Sequence, residues 1–231
     1  MHTVALPELS RQSLEDGLQA LRQTGAQFYQ RGWSLGTSSN YSILLQREPQ
    51  TLLITASGKD KSRLNADSDF VLVDHDLARL PWPFRVWPHD SERPIDNKPS
   101  AETALHLMLT RRPGVGSVLH THSVWGTLLS DVYGDQGGLW IEGYEMLKGL
   151  AGVATHQHRE WVPIFANSQD IGTLAKAVQA TMDNGQDGAI HGILLRAHGL
   201  YTWGRDVTEA RRHVEIFEFL FEVLGRRLML K

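Results

Sequence analysis

Short apolar runs bounded by turn formers alternate with helical patterns along this chain, and that alternation leaves few folds open. Tyr41–Leu45, Thr51–Thr55, Phe70–Val73, Ser117–His122, Trp161–Phe165, Gly192–Ala197 and Leu200–Trp203 read as strands. Between them lie helical stretches. The first has Ser13 as its cap, apolar Leu14, Leu18, Leu21, Ala26 and Phe28, and an end near Gly32. Ala101–Arg112 follows with Ser100 as cap, then Ser123–Leu129, Glu142–Leu150 and the amphipathic Ser168–Met182. The last helix runs from about Val207 to Leu230, with Asp206 or Thr208 near its cap. Leu80–Pro88, rich in proline and tryptophan, reads as a loop or irregular edge. Residues 1–12 read as a tail, and no repeat or linker divides 13–231, so one α/β domain is expected. Some strand pairs are joined by turns too short for a crossover. The sheet should therefore be mixed or largely antiparallel, flanked by helices.

Composition narrows the chemistry. The 231 residues are 41% hydrophobic and 21% charged, which is ordinary globular usage. The formal net charge is -3 with no basic stripe, so no nucleic-acid partner is expected. There is no cysteine, which excludes disulfides and thiolate metal sites and leaves imidazole and carboxylate as metal ligands. The N-terminus has no apolar signal-peptide core, and no apolar run reaches the ~18 residues of a membrane helix. A cytoplasmic protein with no membrane partner is the expectation.

The sharpest motif is Val118-Leu-His-Thr-His-Ser123. Side chains at i and i+2 of a strand share a face, so His120 and His122 project together at the strand's end. Two neutral imidazoles suit zinc or another borderline divalent metal. The best source of a third ligand is Leu195-Arg-Ala-His-Gly-Leu200, where His198 ends an apolar strand and Gly199 permits a sharp turn. Three protein ligands leave an open position, as in catalytic sites. A rival pair, His156-Gln-His158, lies in a polar stretch better suited to a supporting or surface role. The other histidines have no partner at ligand spacing and read as structural or solvent-facing.

Two small-polar loops, Gly36-Thr-Ser-Ser-Asn-Tyr-Ser42 and Thr55-Ala-Ser-Gly-Lys-Asp60, could cradle an anion with freed amides and hydroxyls or could be ordinary turns. Lys59 would add charge. Two carboxylates stand out: Glu102, at the start of a helix where it would complement the dipole, and Glu145, just after a glycine-containing loop. Either could serve as a general acid or base if brought near the metal.

In this order, Gly36-Thr-Ser-Ser-Asn40, Thr55-Ala-Ser-Gly58, Pro99-Ser-Ala-Glu102, Leu119-His-Thr-His-Ser123 and Arg196-Ala-His-Gly199 resemble the class II aldolase/adducin-head family of metal-dependent sugar-phosphate enzymes. The resemblance extends from about residue 14 to about residue 225. It implies a three-layer α/β/α fold with a central, largely antiparallel sheet, and a homotetramer with active sites near subunit interfaces. It implies one Zn2+ per subunit, or another divalent metal, on His120, His122 and His198. It implies sugar-phosphate binding by Thr37, Asn40, Thr55, Ser57, Gly58, Lys59 and Ser100. Glu142-Gly-Tyr-Glu-Met-Leu-Lys-Gly149 with Thr155-His-Gln-His-Arg-Glu160 resembles the family's dehydratase branch, which removes water from a methylthio-bearing ketose phosphate in methionine salvage. Glu145 then matches the dehydratase acid/base and Glu102 the catalytic carboxylate of the aldolases. The competing expectations are a fuculose- or rhamnulose-phosphate type aldolase and a non-catalytic scaffold like the adducin head. The Trp82/Phe84/Trp87 segment is an apolar candidate for the methylthio group or, equally, for packing at a subunit interface.

Overall fold

A computed structural model describes residues 11–66, 68–81, 97–184 and 190–230. Among the described residues nine strands form one sheet: β1 (Asn40–Gln46), β2 (Thr51–Thr55), β3 (Phe70–Asp74), β4 (Arg79–Leu80), β5 (Ser117–Thr121), β6 (Gly138–Glu142), β7 (Arg159–Phe165), β8 (Gly192–Leu195) and β9 (Gly199–Gly204). Their order across the sheet is β4-β3-β2-β1-β5-β9-β8-β7-β6. Only β7 and β8 pair parallel; every other neighbouring pair is antiparallel. The parallel pair is the one whose connection carries a long helix, as a crossover requires.

Among the described residues five α-helices cover both faces: α1 (Arg11–Gln30), α2 (Thr103–Thr110), α3 (Val124–Val132), α4 (Ile171–Asn184) and α5 (Val207–Met229). Alternation along the strands assigns the layers. On β2, Leu53 packs into the α1 side while Leu52 and Ile54 pack with Leu107 of α2. On β8, Leu194 packs against α3 and α5, and Ile193 and Leu195 against α2 and α4. The sheet is thus enclosed by α1, α3 and α5 on one face and by α2 and α4 on the other. Burial on both faces explains why β2, β3 and β8 read as apolar runs rather than alternating ones.

Several expectations need correction. Helix α1 already includes Arg11 and Gln12, so Ser13 lies within the helix rather than at its cap. Helix α2 starts at Thr103 with Glu102 at the cap position, and Ser100 closes the preceding turn, its carbonyl accepting from Thr103 Oγ1 and its Oγ accepting from the Glu102 amide. Glu142–Leu150 is not one helix. Glu142 ends β6, which was not anticipated, Gly143 turns with φ 79°, and a 3-10 helix covers Glu145–Gly149. The cap of α5 is Asp206, whose carboxylate accepts from Glu209 N at 2.8 Å. Trp82, Phe84 and Trp87 lie outside the described residues. No helix among the described residues is long and apolar enough to cross a membrane.

Candidate metal centre and active site

The centre of the sheet builds the site. Asn40 of β1 pairs with His120 of β5, and His120 pairs with Tyr201 of β9, so three side chains stand in one row across three strands. The Tyr201 ring stacks on the His120 imidazole at 4.0 Å between centroids. His122 follows the end of β5, and its amide donates to Trp33 O at 2.8 Å. His198 sits in the tight β8–β9 turn. That turn is held from α3, where Thr127 Oγ1 donates to His198 O and Ser130 Oγ accepts from Ala197 N. Gly199 is indispensable here, because a Cβ would meet Thr121 O at 2.1 Å.

The three imidazoles converge through one atom each. Nε2 to Nε2 separations are 2.8 Å for His122–His120, 3.1 Å for His198–His122 and 3.3 Å for His120–His198. The opposite nitrogens are occupied: His120 Nδ1 donates to Leu200 O at 2.9 Å and His198 Nδ1 donates to Asn167 Oδ1 at 3.2 Å. A neutral ring that donates through Nδ1 presents a lone pair at Nε2. At least two lone pairs therefore face one point, together with the Nε2 of His122, a geometry that protons do not satisfy and a divalent cation does. Burial first, and then the neighbouring rings, drive His120 well below the usual histidine range and His122 down to about 4, so both are neutral and ready to ligate at neutral pH. The residues present fit a metal of borderline softness.

Glu102 completes the group. Its carboxylate lies 3.6 Å from both His120 Nε2 and His198 Nε2. It accepts a 2.6 Å hydrogen bond from Asn40 Nδ2. Asn40 is oriented in turn by buried His106, whose Nε2–H donates to Asn40 Oδ1 while its Nδ1 accepts from Ser42 Oγ at 2.7 Å. Burial pushes His106 down to about 3, which keeps this relay neutral. Tyr201 is fully buried, and desolvation, then the Glu102 charge, raise its phenol well above its ordinary value. Beneath the metal strand, Glu218 of α5 accepts from Thr121 Oγ1 at 3.2 Å, and burial raises it to about 7.

A cavity of about 320 Å³ opens beside His122, His198 and Glu102. Thr37, Asn40, Ser57, Gly58 and Ser100 line it, bringing together both small-polar loops and the turn before α2. Ala56 bridges Pro99, and Ser57 N donates to Lys98 O, which holds the second loop beside Glu102. Thr55 and Lys59 do not line the cavity. Thr55 is fully buried with its Oγ1 accepting from Tyr41 N, and Lys59 pairs with Asp69 at 3.2 Å. Glu145 lies outside it as well, 71% exposed, paired with Lys148 and 3.8 Å from His156 Nδ1. The Lys148 hydrogen bond, its largest influence, holds its carboxyl below the ordinary value.

Three contributors were not singled out from the sequence. Asn167 and Ser168 line the cavity from the loop after β7, and His106 orients Asn40. The Asn167-Ser-Gln run at a strand end has the same small-polar character as the other two loops and could have flagged the first two. Nothing in the local sequence distinguishes His106 from a core histidine. A second group, His158, Glu160 and His191, also brings three ligand-type atoms within 4.8 Å, although His191 had no partner at ligand spacing. There, unlike at His120, every close contact is an N–H donating to a carboxylate oxygen, so protons suffice.

Known proteins resemble this chain in sequence and fold. Residues 19–224 match the family described as Class II Aldolase and Adducin N-terminal domain. A methylthioribulose-1-phosphate dehydratase of Stenotrophomonas maltophilia (strain K279a) is 44% identical over 229 residues, covering 98% of this chain and 95% of that relative. One from Xanthomonas campestris pv. campestris (strain 8004) is 45% identical over 192 residues, covering 83% and 80%. Among solved structures, an L-fuculose 1-phosphate aldolase superposes with TM-score 0.69 at 21% identity, covering 92% of this chain and 87% of its own. The L-fuculose-1-phosphate aldolase of Thermus thermophilus superposes with TM-score 0.64 at 21% identity, covering 95% and 96%. These two solved structures share the fold. The family model covers most of the chain and relatives 44–45% identical span most of both lengths, so the chain belongs to the class II aldolase and adducin N-terminal domain family.

Proposed function

We propose that this chain is a metal-dependent methylthioribulose-1-phosphate dehydratase that forms 2,3-diketo-5-methylthiopentyl 1-phosphate. The observation that carries the reading is the His120/His122/His198 cluster with Glu102 at 3.6 Å, taken with 44% identity to a protein of that name across nearly the whole chain. Zinc is the favoured ion, because three imidazoles with no thiolate suit it, and iron or manganese are the alternatives. When bound, a divalent cation supplies Lewis acidity to a carbonyl and a neighbouring hydroxyl oxygen of the substrate.

The chain's own residues divide the remaining work. His120 and His198 hold their Nε2 lone pairs fixed because Leu200 O and Asn167 Oδ1 fix the tautomers. Thr37, Asn40, Ser57, Gly58 and Ser100 bind the phosphate end in the cavity. Glu102, aimed by Asn40, takes the proton from C3, which is acidic because C2 is a ketone. Glu145 protonates the departing C4 hydroxyl, so that water rather than hydroxide leaves, and the enol becomes the diketone with a proton at C4.

Glu145 is exposed and outside the cavity of its own subunit, so we place it at a subunit boundary of a homotetramer, where association would bring it to a neighbouring site. Helix α3 supports association: Val124, Leu128 and Val132, spaced i, i+4, i+8, are 66%, 50% and 58% exposed and form an apolar stripe. An acid must hold its proton. Leaving Lys148 for a less hydrated boundary would raise the Glu145 carboxyl as the role requires. The reading also places the enzyme in the cytoplasm with methionine salvage. The test is a dehydratase assay on metal-replete and chelator-stripped protein. Diketone formation that follows metal content supports the reading; cleavage of ketose phosphates to a triose phosphate without diketone identifies an aldolase instead.

A further inference from the structure

Glu160 of β7 is a buried carboxylate that the proposed reaction does not use. Four donor contacts converge on it: His191 N at 3.1 Å, His191 Nδ1 at 3.0 Å to each oxygen, and His158 Nε2 at 2.7 Å. The other nitrogen of His191, Nε2, faces Ala151 O at 2.8 Å. Both ring nitrogens of His191 therefore point at acceptors, which requires a proton on each and makes the ring an imidazolium paired with the buried carboxylate. Ala151 is gripped on its other side too, where its amide donates to His213 Nε2 at 3.1 Å; His213 Nδ1 donates to Trp203 O at 2.7 Å. Glu160 thus fixes both ends of the 151–158 loop, one end through His191 to Ala151 and the other directly at His158.

The middle of that loop carries His156, whose Nδ1 is 3.8 Å from Glu145. Before the loop, Leu147 and Leu150 are buried, and Gly149 packs so closely on α5 that a Cβ would meet Ile216 at 2.6 Å. A short, tightly packed segment therefore connects the clamped Ala151 to the exposed carboxylate that starts the 3-10 helix.

We infer that Glu160, His191 and His213 are positioning residues that fix the 3-10 helix bearing Glu145, by gripping the Ala151 peptide and closing the 151–158 loop. This rests on the acid role proposed for Glu145. Loosening the clamp leaves metal and phosphate binding intact and misplaces the acid.

The test uses the metal-replete enzyme and methylthioribulose 1-phosphate. His191→Gln should lower kcat ~10-fold or more with KM and metal content unchanged. Amide hydrogen exchange should accelerate in residues 147–158 and stay at wild-type rates in β5 and β9. In a Glu145→Gln background, adding His191→Gln should change kcat less than about twofold, because the two act through one group. Should His191→Gln fail to fold, His213→Asn loosens the same peptide from the other side and is read identically. A kcat effect that multiplies with Glu145→Gln, or unchanged exchange in 147–158, overturns the inference. If Glu145→Gln alone keeps its activity, the acid assignment falls and the positioning role falls with it, while faster exchange would still identify the clamp as structural.

Discussion

Asn40 and Glu102 are joined by a 2.6 Å hydrogen bond from the asparagine amide to the carboxylate that faces the three histidines. Asn40 belongs to a central strand and Glu102 to the cap of a short helix, so the bond ties the sheet to a carboxylate beside the imidazoles. Asn40→Ala should lower kcat by ~10–100-fold while leaving the fold intact, the usual cost of removing an orienting partner at a metal site. Steady-state kinetics with metal analysis checks this. A fall in metal content to match the activity would move Asn40's effect from the carboxylate to the metal.

His198→Ala removes one of the three converging Nε2 atoms and leaves His120 and His122 2.8 Å apart. Metal affinity should fall more than ~100-fold, beyond the loss expected for a supporting residue. Activity should fall with it and return partly at high metal concentration. Elemental analysis after dialysis reads the outcome; a variant that keeps one tightly bound metal would remove His198 from the ligand set.

Glu145→Gln should separate the two halves of the site. Metal content and KM should stay at wild-type values, and kcat should drop ~100- to 10,000-fold, the range for a general acid or base. Retention of most of the activity would take Glu145 out of the reaction.

Glu218 makes the pH dependence of stability testable. Burial raises its carboxyl to about 7 from an ordinary 4.5. Between those values the folded state holds a proton that the unfolded state has released, so this group's contribution falls as pH rises from 4.5 to 7 and is constant above. Glu218→Gln keeps a hydrogen-bonding amide without the charge. It should stabilise the protein by roughly 1–3 kcal/mol above about pH 7, with the difference vanishing below about pH 4.5. Denaturant melts at about pH 4.5 and about pH 8 would show it, and equal differences at both would contradict the assignment.

Gly199→Ala should be severe for a single methyl group. The added Cβ meets Thr121 O at 2.1 Å and His120 Cε1 at 3.1 Å, so β5 and β9 must separate where the metal histidines sit. A loss of roughly 1–3 kcal/mol or more is expected, with weakened metal binding. Thermal unfolding with and without added zinc reads both.

The central strands and the histidine cluster were legible because their signals are local. His120 on β5 and His122 just past its end form an i, i+2 pair, His198 follows the apolar run of β8 in the turn to β9, and β2 and β8 are short apolar runs between turn formers. Strand β6 was not legible, because Gly138-Leu-Trp-Ile-Glu142 runs into a glycine turn and a 3-10 helix that together mimic one helical pattern. The start of α1 was misplaced because Ser13 looks like a cap whether or not helix precedes it. The His191–Glu160 pair was invisible, because its partners lie 31 residues apart and meet only where β7 and β8 run side by side. The loop residues divided in the same way: small-polar composition found Thr37, Ser57 and Gly58, but could not tell that Thr55 turns inward.

Strand order has a consequence for how such a chain can change its chemistry. The histidines sit on β5, just past its end and in the β8–β9 turn in the middle of the sheet, whereas Glu145 follows β6, an edge strand. Substitutions at a rim disturb few neighbours. If Glu145 has the role proposed for it, a lineage could exchange the β6 appendage, and with it the fate of the sugar, while inheriting the central histidine cluster unaltered.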